Sequence, residues 1–185
     1  LTGDPAPLLM IAQNKNEVVD FRVLAIRLFA KMTPATGEAV EALVSLALHD
    51  DKREVRKASE EGLRQVLGRP DVDPGAADFA SPFEALQSVV NVKDDTDLPE
   101  RALHLSGAWG PAALPWFQTL AGGWFDKHIT GALLAMGAEA MESLLLWRAQ
   151  HQRVVSIMTS SSVSSNPNVG FALARLLRHA DPRVR

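Results

Sequence analysis

The amino-acid sequence predicts an all-α chain built as a stack of antiparallel helix pairs. Three observations carry that expectation. Apolar residues recur at helical spacing through most of the 185 residues, and β-type alternation is nowhere sustained. Helix starts are marked by capping residues and by proline. One helix-opening phrase also recurs, as Asp20-Phe21-Arg22-Val23-Leu24-Ala25, as Asp51-Lys52-Arg53-Glu54-Val55-Arg56-Lys57-Ala58, and as Asp181-Pro182-Arg183-Val184-Arg185. Repetition of such a phrase marks a helical-repeat protein, in which each unit buries its apolar face against its neighbours.

Taken in order, residues 5–13 read as a short first helix. Further helices are expected at 17–32, 36–49, 52–67, 82–92, 98–109, 111–121, 124–136, 138–152 and 167–179. Asp51 with Glu54, Ser81-Pro82-Phe83-Glu84 and Asp97-Leu98-Pro99-Glu100 each place a side-chain oxygen at the N-cap and an acid three residues later. Proline at a first helical position costs nothing, because its missing N–H had no partner. Asn166-Pro167 and Asp181-Pro182 read as further starts. In 36–49 the apolar residues cover more than one face, which predicts an inner helix packed on two sides. In 52–67 they thin to Val55, Ala58, Leu63, Val66 and Leu67, which predicts an outer helix with one wet face. Two long connections are expected, at 68–80 (rich in Pro, Gly and Asp) and at 159–168. Gly122-Gly123 reads as a helix break.

Composition narrows the function. The chain is 46% hydrophobic and carries a formal charge of −3, which does not suggest a general nucleic-acid binder. Residues 76–126 hold seven acids and two bases, whereas 127–185 hold three acids and seven bases. With no cysteine there are no disulfides, thiolate metal sites or cysteine nucleophiles. No apolar run approaches the ~20 residues that span a membrane, and no signal peptide is visible. A cytoplasmic location is the expectation.

Aligning Arg22 with Arg56, 34 residues apart, sets Phe21 on Val55, Phe29 on Leu63 and Met32 on Val66. A second phrase recurs at Gly37-Glu38-Ala39-Val40, Gly110-Pro111-Ala112-Ala113 and Gly137-Ala138-Glu139-Ala140. Together these resemble HEAT repeats, whose first helix follows Asp-x-x-Val-Arg-x-x-Ala-x-x-x-Leu. The resemblance covers most of the chain, is strongest in 17–67 and lapses in 68–97, where the stack is expected to be interrupted. It implies a single α-solenoid domain over 1–185. It also implies structural ladder roles for Arg22, Asp51, Arg56, Asp181 and Arg185, the carboxylates capping a neighbouring helix and the arginines pairing along the stack. Because Val184-Arg185 opens a further unit, and the chain starts at Leu1, a longer natural protein is expected.

Little in the sequence carries chemistry. The histidines (His49, His104, His128, His151 and His179) form no pair on one helix turn, and no His-Glu dipeptide supplies the iron ligands of the HEAT-like deoxyhypusine hydroxylases. No phosphate loop, nucleophile elbow or dinucleotide turn is present. The paired acids Asp50-Asp51, Glu60-Glu61 and Asp94-Asp95 read as exposed, without the shared apolar cleft that would split their pKa values. Trp109, Trp116, Phe117, Trp124 and Phe125 fall within 17 residues. They read either as core between repeats or as a groove for a peptide or helix.

The expectation is therefore a non-catalytic protein-interaction scaffold without cofactor or metal. Trp109, Trp116 and Trp124 would be its apolar anchors, and Arg148, Arg175 and Arg178 its contacts to an acidic partner. The alternative is a nucleic-acid module resembling the HEAT-like DNA glycosylases. Its tryptophan cleft would need a cationic track, and the sequence around these tryptophans is acidic.

Overall fold

A computed structural model describes residues 3–32, 34–90 and 97–120, together with the isolated positions 174 and 178. The chain divides into two compact units, 1–108 and 109–185. The first unit is all-helical, with six α-helices: α1 (Ala6–Gln13), α2 (Val19–Phe29), α3 (Gly37–His49), α4 (Arg53–Leu67), α5 (Ala80–Val90) and α6 (Asp97–Ser106). The second unit contributes α7 (Leu114–Leu120) among its described residues. The helices expected at 124–136, 138–152 and 167–179, the 159–168 connection and Gly122-Gly123 lie outside the described residues.

Local chemistry accounts for the helix ends. Asp4 Oδ1 accepts from the Ala6 N–H (2.9 Å) ahead of α1, which carries a proline in its first turn. Thr36 caps α3, its hydroxyl accepting from the Ala39 N–H at 3.2 Å. Three starts differ from expectation, the simplest being α6, which begins at Asp97 itself, the residue expected to cap it. α4 begins at Arg53, with Lys52 at the N-cap and no side-chain cap, so Asp51 does not cap it. Asp51 instead sits on the surface, its carboxylate 3.3 Å from Lys52 Nζ, and that hydrogen bond holds its pKa below the usual carboxylate value. α5 begins at Ala80 because a 3-10 turn, Ala77–Phe79, runs straight into it. Ser81 and Pro82 therefore lie inside its first turn, where a missing N–H still costs no bond.

The helices pack as consecutive pairs: α1 on α2, α3 on α4 and α5 on α6. Only residues 50–52 separate α3 from α4, and a link that short returns the chain antiparallel. Between pairs, α2 packs on α4, and α3 packs on both α5 and α6. α3 is the inner helix, burying Val40, Leu43, Val44, Leu46, Ala47 and Leu48. Each valine or leucine among them contributes about 1.5–3 kcal/mol when fully withdrawn from water. α4 buries one stripe, from Val55 through Ala58, Gly62 and Leu63 to Val66, and leaves its other face wet.

Two glycines let backbones meet. A Cβ on Gly62 would lie 3.3–3.6 Å from Ala30, Leu43 and Ile26, so its bare Cα brings α4 close to both α2 and α3. A Cβ on Gly37 would fall 2.2 Å from the Asp78 carbonyl oxygen, so the 3-10 turn can lie against the start of α3 only because Gly37 has no side chain. After α6, the 3-10 segment Gly107–Ala113 bends at Gly110, whose φ of 55° lies in the left-handed region that glycine tolerates. The bend sits at the break expected between 98–109 and 111–121.

Candidate functional site

The site grows from a recurring way of closing helix ends. The last carbonyls of a helix have no partner within it and form its negative pole, so a guanidinium satisfies both needs. Arg22 Nε donates to Ala12 O (2.9 Å) near the end of α1. Arg69 donates to Met32 O (2.8 Å), just past α2, while its other nitrogens hold Asp71. The end of α3 receives two arginines. Arg56 donates to Asp50 O at 2.7 Å and to Asp51 O at 3.2 Å, and Arg101 of α6 donates to Leu48 O at 2.6 Å.

Arg22 also pairs with the Asp50 carboxylate through both terminal nitrogens, each side chain being 1% exposed. Asp50 Oδ1 accepts in addition from the Lys52 N–H (3.0 Å), closing the turn before α4. Arg22 and Arg56 both make bonds at or just past a helix end. The carboxylate that Arg22 meets is that of Asp50, one residue before the expected Asp51, and it is buried rather than exposed, whereas Arg56 meets the backbone carbonyls of Asp50 and Asp51. The alternation of the helix ending at His49 and the helix starting at Arg53 turns Asp50 inward and Asp51 out.

Arg56 and Arg101 converge because both reach for the end of α3. Between them opens a cleft of about 190 Å³ with an apolar floor of Ala47 and Leu105. Its α4 wall is Arg53, Arg56, Lys57 and Glu60, spaced i, i+3, i+4 and i+7 on one helical face. Its α6 wall is Arg101 and His104. Glu60 does not cancel this charge. Its Oε1 lies 2.7 Å from Arg64 and 2.7 Å from His104 Nε2. Arg64 also stands 2.9 Å from the same Nε2. His104 Nε2 thus stands within hydrogen-bond distance of a carboxylate oxygen and of a guanidinium nitrogen, and it donates to Glu60 when it carries a proton. The His104 hydrogen bond, helped by the charges of His104 and Arg64 and opposed by burial, holds the Glu60 pKa below its usual value. A second hollow, about 260 Å³ near Phe29, Met32 and Val66, is apolar with Thr36 as its polar member.

The residues expected from sequence to bind a partner are placed as follows. Trp109 is buried, at 1% exposure. Trp116 is half-buried and stacks on the buried Phe117, ring centres 5.4 Å apart. Arg178 is exposed. Trp124, Arg148, Arg175, Asp181 and Arg185 lie outside the described residues. Sequence reasoning missed the basic cleft, because Arg101 and His104 stand in the stretch read as acidic. The i, i+3, i+4 spacing of Arg53, Arg56 and Lys57 was the available signal.

Among the described residues, no group of three or more His, Asp or Glu side chains could hold a metal ion. No described helix is long and apolar enough to cross a membrane. Comparison with known protein families, with curated proteins and with solved structures gives no match for this chain.

Proposed function

We propose that this chain is a non-catalytic interaction module of the HEAT-like, α-solenoid kind, and that it holds an acidic segment of a partner protein in the cleft between α4 and α6. The observation that carries the reading is the cleft itself. Four cationic side chains face one space, and the one carboxylate there is already engaged by Arg64 and His104. The solenoid reading is supported by the helix pairs, by the packing of α2 on α4, and by the 34-residue register, which aligns the buried Phe29 with the buried Leu63. The register is imperfect at its start, where Phe21 is 58% exposed and its counterpart Val55 is fully buried.

The cleft residues suit an interaction module, since their cations gather around one small space with an apolar floor. A duplex nucleic acid suits them less well. Its affinity comes from phosphate contacts spread along a track, and here the bases gather around one small space. Titrating the protein with a short glutamate-rich peptide, by calorimetry at low and high salt, tests the reading. Binding that weakens with salt and falls about tenfold or more in Lys57→Glu supports it. Equal binding by Lys57→Glu and the parent protein removes the cleft as the site.

A further inference from the structure

We infer that the ligand of this cleft is a phosphoryl group, carried on a serine or threonine side chain of the partner, rather than a carboxylate. The inference rests on the cleft reading above and narrows it. The cleft presents more positive charge than one carboxylate can answer, with Arg53, Arg56, Lys57 and Arg101 set against a Glu60 that has two other partners.

The two central guanidiniums are also fixed in place. Arg56 uses Nη1 on the Asp50 and Asp51 carbonyls, and Arg101 uses Nη1 on the Leu48 carbonyl and Nε, at 3.4 Å, on Asp97 O. Among the described residues, neither uses its other terminal nitrogen in a hydrogen bond. Two held guanidiniums offer a fork to a tetrahedral group at little entropic cost, and guanidinium geometry matches phosphate oxygens. A phosphoserine brings a charge of about −2 and three strong acceptor oxygens, enough to meet both forks and a lysine together. Arg53 and Lys57 are exposed on the rim and supply the mobile charge that would close over it. Arg53 is also the first residue of α4, whose N-terminus carries no side-chain cap and so adds its positive pole to that wall.

The test compares three short peptides identical but for one position, which is serine, glutamate or phosphoserine in an otherwise uncharged sequence. Each is titrated into the full chain by calorimetry, alongside a peptide of several glutamates. The phosphoserine peptide is expected to bind about tenfold or more tightly than the glutamate peptide, with the serine peptide silent and inorganic phosphate competing. Arg53→Gln and Lys57→Gln should each weaken it about fivefold to tenfold and leave the melting temperature of the free protein unchanged.

Equal affinity for phosphoserine and glutamate overturns the inference. So does phosphopeptide binding that both variants leave intact, which would put the site elsewhere. If the glutamate-rich peptide binds and the phosphopeptide does not, the acidic-segment reading stands without the phosphoryl group. If neither binds, both fall.

Discussion

Cutting the Arg22–Asp50 pair is the sharpest probe of how the first unit is held together. Both side chains are 1% exposed, and Asp50 additionally accepts from the Lys52 N–H. Replacing Asp50 by alanine leaves a guanidinium in the interior with the Ala12 carbonyl as its remaining partner. Removing one member of a buried pair costs about 3–5 kcal/mol, because the other charge stays desolvated. The lost Lys52 bond adds about 1 kcal/mol. For a unit of this size, at about 4 °C per kcal/mol, the melting temperature should fall by at least ~10 °C. Arg22→Met should behave alike, and the double variant Arg22→Met/Asp50→Leu should recover to within about 1–2 kcal/mol of the parent, since it buries no charge.

Urea unfolding followed by far-ultraviolet circular dichroism measures the cycle. Single substitutions that each cost less than about 1 kcal/mol, the worth of an exposed pair, would refute the reasoning.

Three further outcomes follow from packing and charge. Gly37→Ala should destabilise by about 1–3 kcal/mol, since its Cβ meets the Asp78 carbonyl and one backbone must move; hydrogen exchange at the start of α3 would report the shift. Ser59 is fully buried, and its hydroxyl has no hydrogen-bond partner among the described residues. Ser59→Ala should therefore stabilise by about 1 kcal/mol in denaturant titration, combining relief of the stranded hydroxyl with alanine's better helix propensity. The Glu60 pKa is lowered on folding, from an ordinary value of 4.5. The unfolded chain thus takes up the proton more readily, so the Glu60 contribution is whole above about pH 4.5 and is lost as pH falls through the folded value. Glu60→Gln should flatten the stability profile below about pH 5, and an unchanged profile would contradict the assigned cluster.

Much of the first unit was legible in the sequence because its helices announce themselves locally. The dense apolar pattern of α3 and the thinner stripe of α4 are such local signals, whereas none of the three caps read from sequence stands at an N-cap. The sequence reading singled out Asp51, and the buried partner of Arg22 is its neighbour Asp50. Two aspartates stand side by side, and only the observed start of α4 at Arg53 decides which faces inward. Phe21 and Val55 align by spacing yet differ in exposure, because burial depends on which helix lies alongside. The cleft was illegible for the same reason. Arg56 and Arg101 come together only because both seek the carbonyls at the end of α3, and the neutralisation of Glu60 needs His104 from another helix. Local charge counts report neither.

The arginines at the end of α3 have a consequence for evolution as well as for binding. Arg101 holds a carbonyl in the last turn of α3, Arg56 holds the two carbonyls just past it, and both line the cleft, so on the proposed reading the closing of that end and the filling of the cleft are linked equilibria. A ligand at a hundred times its Kd would add about 2.7 kcal/mol to the folded state, and some of that should be felt as slower opening of the last turn of α3. Substitutions at either arginine would be selected against for foldability even where no partner is present. The rim residues Arg53 and Lys57 carry no such double duty. On the proposed reading, specificity can therefore drift at the rim while the anchors stay fixed.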